Sequence, residues 1–171
     1  YDLGVPVLGI CYGMQLTAQL LGGQVEKAKE REYGRVTVRM QETSGLLEGM
    51  SAASSCWMSH TWQVSSCPPG FQAIASTDNG PAAAMANEAR HIYGVQFHPE
   101  VTHTEEGKRL LRNFLYGSRY FQATFGKRSR DVFLPDCFGF GWSLPSIAAH
   151  CDLVGFSTQK LHYRDNMFHI H

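Results

Sequence analysis

Three residues in this chain have the types and settings that thiol chemistry needs: Cys11, His98 and Glu100. Cys11 lies in LGICYGMQL, between Gly9 and Gly13, with an apolar run before it and a helix-like run after it. Gly-x-Cys-x-Gly at a strand-to-helix junction fits a nucleophile elbow, in which the side chain stands above the strand end. The N-terminus of the following helix aims backbone N–H groups and a positive dipole end at the sulfur, which favours a thiolate. The same N–H groups can hold a developing oxyanion. Taken alone, the motif fits a small buried cysteine packed between glycines at least as well.

A thiolate that attacks an amide needs an acid to protonate the leaving amine. VQFHPE supplies one. His98 follows a strand, so it can lie at the C-terminal edge of the sheet that carries Cys11. Pro99 biases His98 toward an extended backbone. Residues two apart then point the same way, so Glu100 can reach the imidazole, fix its tautomer and stabilise the imidazolium. A surface glutamate beside a partly buried histidine is the plainer reading of His-Pro-Glu alone.

The elements that would position these residues follow from periodicity. VPVLGI, residues 5–10, reads as a central parallel strand buried on both faces. Residues 13–21, GMQLTAQLL, have helical spacing, and Gly22-Gly23 ends the run. The middle is β-rich. Val36, Val38 and Met40 alternate with Arg35, Thr37, Arg39 and Gln41, and CWMSH, FQAIAST and AAAMA are shorter strand candidates between PPG and DNGP turns. HIYGVQF, residues 91–97, is the next strand. Thr102 and Glu105 fit a capping box for a helix over 104–116. Its apolar face is Leu110, Leu111, Phe114 and Leu115, its acidic first turn Glu105 and Glu106.

Composition bounds the rest. The 171 residues are 43% hydrophobic and 18% charged with a formal net charge of zero, which gives no electrostatic case for nucleic acid or a membrane surface. No apolar run approaches the roughly 20 residues that span a bilayer. The opening YDLGVPVLGI has no basic n-region and no starting methionine, so we expect a cytoplasmic protein read from a fragment. The five cysteines are irregularly spaced without a CxxC pair, so zinc is not expected and reduced thiols are. After Tyr116 the character changes: residues 117–171 hold no glutamate and seven of the ten phenylalanines. They show no sustained period, and we divide the chain into 1–116 and a tail of unassigned fold, 117–171.

GICYGMQ followed by GVQFHPEVTHTEEGKRLLRNFL resembles the class I glutamine amidotransferase family. REYGR, WMSH, ASTDN and HPEVTHT add to the likeness, which runs from about residue 4 to about residue 116. It is nearest to the branch whose ammonia is used to convert XMP to GMP. The resemblance implies an α/β fold, a mixed sheet flanked by helices in a flavodoxin-like three-layer arrangement. It implies Cys11 as nucleophile, His98 as general acid/base and Glu100 as its orienting carboxylate. Attack on the glutamine side-chain amide would give a thioester and ammonia, and water would release glutamate. It further implies the Tyr12 N–H as oxyanion donor, Gln15 as a substrate contact, and Ser59-His60 as the segment that grips the amino-acid end of glutamine.

No cofactor is implied in this part. The implied partner is an ATP-pyrophosphatase synthetase domain or subunit, where ATP and Mg would act. Two departures stand out. The family carries an upstream βαβ stretch with a Gly-Gly-Pro loop that supplies a second oxyanion donor, and WMSH is followed there by Gly-Asp where this chain has Thr61-Trp62. The competing expectations are a catalytically silent binding module, the amidotransferase subunit of another biosynthetic enzyme, and a cysteine hydrolase of another small amide. His91 and His103 are expected to be structural or exposed.

Overall fold

A computed structural model of the protein describes residues 1, 4–41, 45–126, 131–133 and 155–157. The chain forms two compact units, Tyr1–Arg128 and Ser129–His171. The first holds a mixed six-stranded sheet and two helices. In chain order these are β1 (Val7–Ile10), α1 (Tyr12–Leu20), β2 (Gln24–Met40), β3 (Ala53–Ser66), β4 (Gln72–Ser76), β5 (Ala84–Asn87), β6 (Ile92–Val95) and α2 (Gly107–Phe125). In the second, β7 (Asp131–Phe133) and β8 (Gly155–Ser157) pair in parallel.

The strand order is β1-β6-β5-β4-β2-β3. Within this sheet β1 and β6 run parallel and the other neighbouring pairs are antiparallel. β1 therefore differs from the expected central strand. Among the described residues it is terminal and pairs with β6 alone, so Val7 and Leu8 are only half buried. Its last residue, Ile10, and the following Cys11 are buried beneath the turn into α1.

The sheet curls. Cys11, at the end of β1, touches Ser59 of β3, although four strands separate β1 from β3 in the hydrogen-bonded order. α1 packs inside this curl against β1, β6, β2 and β3. Met14 and Ala18 of α1 join Val64, Phe71, Ala82, Met85 and Ile92 in one apolar core. The close fit depends on two glycines. A Cβ on Gly94 of β6 would stand 2.7 Å from Met14 Cγ, and one on Gly9 of β1 would stand 2.7 Å from the backbone carbonyl group of Gly13. α1 ends as its glycines predict: Gly22 is at φ 91°, and the Gly23 N–H donates to the Ala18 carbonyl at 2.8 Å, a Schellman closure.

β2 keeps the predicted alternation near its end, with Val38 fully buried and Arg35, Thr37 and Arg39 exposed. It begins earlier than that pattern suggests. Its 17 residues follow β3 through a bulge between Lys27 and Glu32, where two-residue periodicity breaks.

α2 corrects the predicted helix. It starts at Gly107 and continues to Phe125, so Glu105 and Glu106 precede its first turn. The Thr102–Glu105 capping box does not form, because the Glu105 N–H donates instead to the Ser55 carbonyl at 3.0 Å. Tertiary contact with β3 outcompetes the local cap. Leu110 is fully buried, Leu111 and Phe114 are half buried, and Leu115 is exposed. Asn113 and Arg109 hold the connection between β2 and β3 by donating to the carbonyls of Leu46, Glu48 and Gly49. No helix among the described residues is long and apolar enough to cross a membrane.

Candidate active site

The parallel pairing of β1 with β6 sets Ile10 beside Val95, and the Cys11 N–H donates to the Val95 carbonyl at 2.7 Å. Both strands end there, so Cys11 and the turn carrying His98 leave the same edge of the sheet. Cys11 is the N-cap of α1, with φ 51° and ψ −107°. A side chain other than glycine at positive φ, outside the left-handed helical well, is a strained conformation. It is what a sharp strand-to-helix turn demands of its central residue. The roles of the two glycines separate here. Gly9 is required by the close approach of the first turn of α1, whereas a Cβ on Gly13 would meet open space.

α1 begins at Tyr12, so its first N–H groups lie in the turn that has no intrahelical acceptors. The Tyr12 side chain is half exposed. The Cys11 thiol, 2% exposed, is set to donate to the Ser59 carbonyl at 3.9 Å and to accept from Gln96 Nε2 at 3.7 Å. Cys56 is buried on β3, where burial pushes its thiol up to about 12, the behaviour of an inert core cysteine.

His98 is fully buried, and its Nδ1 lies 2.8 Å from Glu100 Oε1. The carboxylate oxygen accepts, so Nδ1 carries the proton and Nε2 is the nitrogen that can take or give one. The turn itself is clamped to β3. The His98 N–H donates to the Trp57 carbonyl at 2.9 Å, while Thr104 Oγ1 donates to the His98 carbonyl at 2.6 Å and accepts from the Trp57 N–H at 3.0 Å. His98 and Cys11 thus dock on one short stretch of β3, Trp57 to Ser59. Behind the turn, a Cβ on Gly107 would overlap the Pro99 carbonyl, so α2 begins in direct contact with this backbone.

The Ser59-His60 segment faces the sulfur through its backbone, not through the His60 ring. That ring is buried, with Nε2 3.1 Å from Glu32 Oε2 and Nδ1 3.0 Å from the Trp62 carbonyl. The Trp62 carbonyl can only accept, so Nδ1 donates to it and Nε2 faces the carboxyl group. Burial alone would raise the Glu32 carboxyl, but its hydrogen bonds and the His60 charge outweigh this and hold it below its ordinary 4.5. A carboxyl held low in the fold stabilises the protein above the unfolded value and stops doing so as pH falls through the folded value. The acid limb of thermal stability, below about pH 4.5, should therefore be shallower in Glu32→Gln, as read from melting temperatures across pH 3 to 6. Gln15 reaches the same carbonyl, donating from Nε2 to Trp62 at 2.6 Å and to Gln96 Oε1 at 3.2 Å. The Trp62 side chain is half exposed, and Thr61 Oγ1 bonds the Tyr33 hydroxyl at 2.9 Å.

Gln96, Glu32 and Thr104 were not legible as site residues. Gln96 did carry a signal: it is an amide inside the apolar run GVQF, and a buried amide must find partners. His103 stacks on Trp57 with ring centroids 4.7 Å apart, and His91 caps a 3-10 turn in left-handed conformation. Among the described residues, no group of three or more His, Cys, Asp or Glu could hold a metal ion.

The family described as glutamine amidotransferase class-I matches residues 1–118, more than half of the chain. The chain belongs to the class-I glutamine amidotransferase family. Relatives of this amidotransferase include proteins named GMP synthase [glutamine-hydrolyzing]. That of Clostridium novyi is 58% identical and that of Acetivibrio thermocellus 54% identical, each over 116 residues. The match covers 68% of this chain and 23% of each relative, so the chain spans about a quarter of their length. A crystal structure described as a GMP synthase subunit from Thermoplasma acidophilum is 31% identical with a TM-score of 0.71, covering 74% of this amidotransferase and 63% of that chain. A glutamine amidotransferase of Thermotoga maritima, 19% identical with a TM-score of 0.55, shares the fold; the match covers 72% of this chain and 50% of that one.

The expected mixed α/β fold of this family is thus what the chain has. A second family model, glycosyl hydrolases family 38 N-terminal domain, matches residues 86–171. The two matches overlap over 86–118, where β6, His98 and the start of α2 form part of the amidotransferase unit. Most of residues 119–171, to which periodicity assigned no fold, lie outside the described residues.

Proposed function

We propose that residues 1–116 are the glutamine-hydrolysing part of a GMP synthase-type enzyme, supplying ammonia through Cys11, His98 and Glu100. The observation that carries this is the strained Cys11 turn, set at the same sheet edge as a histidine whose Nδ1 is held by a carboxylate. Cys11 Sγ attacks the side-chain amide carbon of glutamine. His98 Nε2 takes the thiol proton as the sulfur attacks and gives it to the leaving nitrogen, so that ammonia departs and a thioester is left. His98 then takes a proton from water, which attacks the thioester and releases glutamate and the thiol. The Tyr12 N–H, at the start of α1, is the donor for the oxyanion. Ser59 and the segment through His60 hold the amino-acid end of glutamine through backbone groups, and Gln15 borders the same space.

The relatives' name supports GMP formation as the use of the ammonia, and this takes a partner: an ATP-pyrophosphatase domain or subunit that binds XMP, ATP and Mg. This part needs no cofactor, and the reaction is one of cytoplasmic purine biosynthesis. The half-exposed Trp62 ring, a bulky residue next to the Ser59-His60 segment where it would weaken glutamine binding, favours the alternative of a catalytically silent binding module.

Glutamate release from glutamine by the purified chain, with and without a separate XMP-binding ATP-pyrophosphatase partner, decides between the two. Release that disappears in Cys11→Ala is expected. Release that survives this substitution excludes the thiol mechanism, and binding without release in either condition supports the silent module.

A further inference from the structure

Gln96 and Gln15 form a chain of amides that ends on the reacting sulfur, and its direction is determined by a backbone group. The Trp62 carbonyl can only accept, so the Gln15 atom 2.6 Å from it is Nε2. That same Nε2 lies 3.2 Å from Gln96, which must therefore present Oε1. The opposite end of the Gln96 amide, its Nε2, then faces Cys11 Sγ at 3.7 Å. Oxygen and nitrogen of an amide are normally interchangeable by a flip. Here a flip of either glutamine sets two acceptors or two donors against each other. Gln96 is 1% exposed, so water does not compensate for a wrong orientation. His60 Nδ1 shares the Trp62 carbonyl at 3.0 Å and ties the chain to the buried Glu32.

We infer that Gln96 is the side-chain donor that stabilises the Cys11 thiolate, and that Gln15 is the positioning residue that keeps the Gln96 N–H aimed at it. This rests on Cys11 being the nucleophile. The Ser59 carbonyl, another contact of the sulfur, suits the thiol, whose S–H it accepts, and opposes the thiolate. Gln96 does the reverse, since an N–H directed at sulfur grows stronger when the sulfur gains charge. Gln15 thereby has a role that does not require it to touch substrate.

The test is alkylation of Cys11 by iodoacetamide in the full chain, followed across pH 5 to 10 by peptide mass spectrometry so that each cysteine is read separately. The titratable groups around the site are His98 and Glu100 after β6 and the Glu32–His60 pair of β2 and β3, all left intact. Gln96→Met should slow Cys11 alkylation at pH 7 roughly tenfold and move its midpoint to higher pH, the size expected for losing one hydrogen bond to a charged group. Gln96→Glu keeps the shape and should slow it further. Gln15→Met, at a half-buried position, should slow it about threefold by freeing Gln96 to flip. An unchanged profile in folded Gln96→Met or Gln96→Glu overturns the donor role. An unchanged profile in Gln15→Met overturns the positioning role. If glutamine hydrolysis survives Cys11→Ala while these profiles move, the thiol mechanism fails and with it the part of Gln96 in hydrolysis; if hydrolysis is lost in Cys11→Ala while the profiles do not move, the donor role alone fails.

Discussion

Replacing His98 with alanine should lower glutamine hydrolysis by ~10²–10⁴, the usual worth of a positioned general acid–base group. The reason is geometric. His98 is buried, its Nδ1 is committed to Glu100, and its backbone is pinned on both sides to Trp57 and Thr104. Without Nε2, neither the leaving ammonia nor the attacking water has a proton carrier. Glu100→Gln should have a smaller effect in the same direction, because an amide can present its nitrogen to Nδ1 and favour the wrong tautomer. Steady-state rates of glutamate release check both. A loss in kcat with the melting temperature maintained identifies chemistry as the step affected.

Gly9→Ala should cost about 3 kcal/mol or prevent folding, a large effect for one methyl group. The added Cβ would stand 2.7 Å from Gly13 C and O and 2.8 Å from Met14 N. These are backbone atoms of α1 and cannot swing away. Relief requires α1 to lift from β1, which would empty part of the core around Met14 and carry Cys11 away from Ser59 and Gln96. Gly13→Ala offers the control: its Cβ would meet open space, so stability should hold. Urea midpoints for the two variants separate the close approach at Gly9 from a general need for glycine around Cys11.

That contrast shows what the sequence could and could not reveal. Gly-x-Cys-x-Gly identified the turn correctly, since local sterics dictate strand, turn and helix. It could not say which glycine the turn needs, because the answer depends on how closely α1 lies on β1. His98-Pro99-Glu100 was legible for a similar reason: the spacing alone allows the imidazole and carboxylate to meet. The place of His98 at the sheet edge that carries Cys11 was expected as well, and the parallel pairing of β1 with β6 provides it. The docking of both on Trp57 to Ser59 was not legible, because it arises from the curl that brings β3 round to the ends of β1 and β6. The helix start failed where a tertiary bond, Glu105 N–H to Ser55, displaced a local cap. The resemblance implied that the Ser59-His60 segment acts largely through its backbone, with the His60 ring free to be a hydrogen-bonded strand-end residue. In the fold, two-residue alternation turns its ring inward to Glu32, and only the backbone of the segment faces the sulfur.

The mechanism stands or falls on Cys11, and no other cysteine, attacking the side-chain carbon of glutamine. Covalent labelling of the full chain by an electrophilic diazoketone analogue of glutamine, mapped by peptide mass spectrometry, asks this of the sulfur itself. One adduct is expected, on Cys11, formed more slowly when glutamine is present and absent in Cys11→Ala. An adduct on Cys56 or Cys67 in place of Cys11, or labelling of Cys11 that glutamine does not slow, would refute the mechanism.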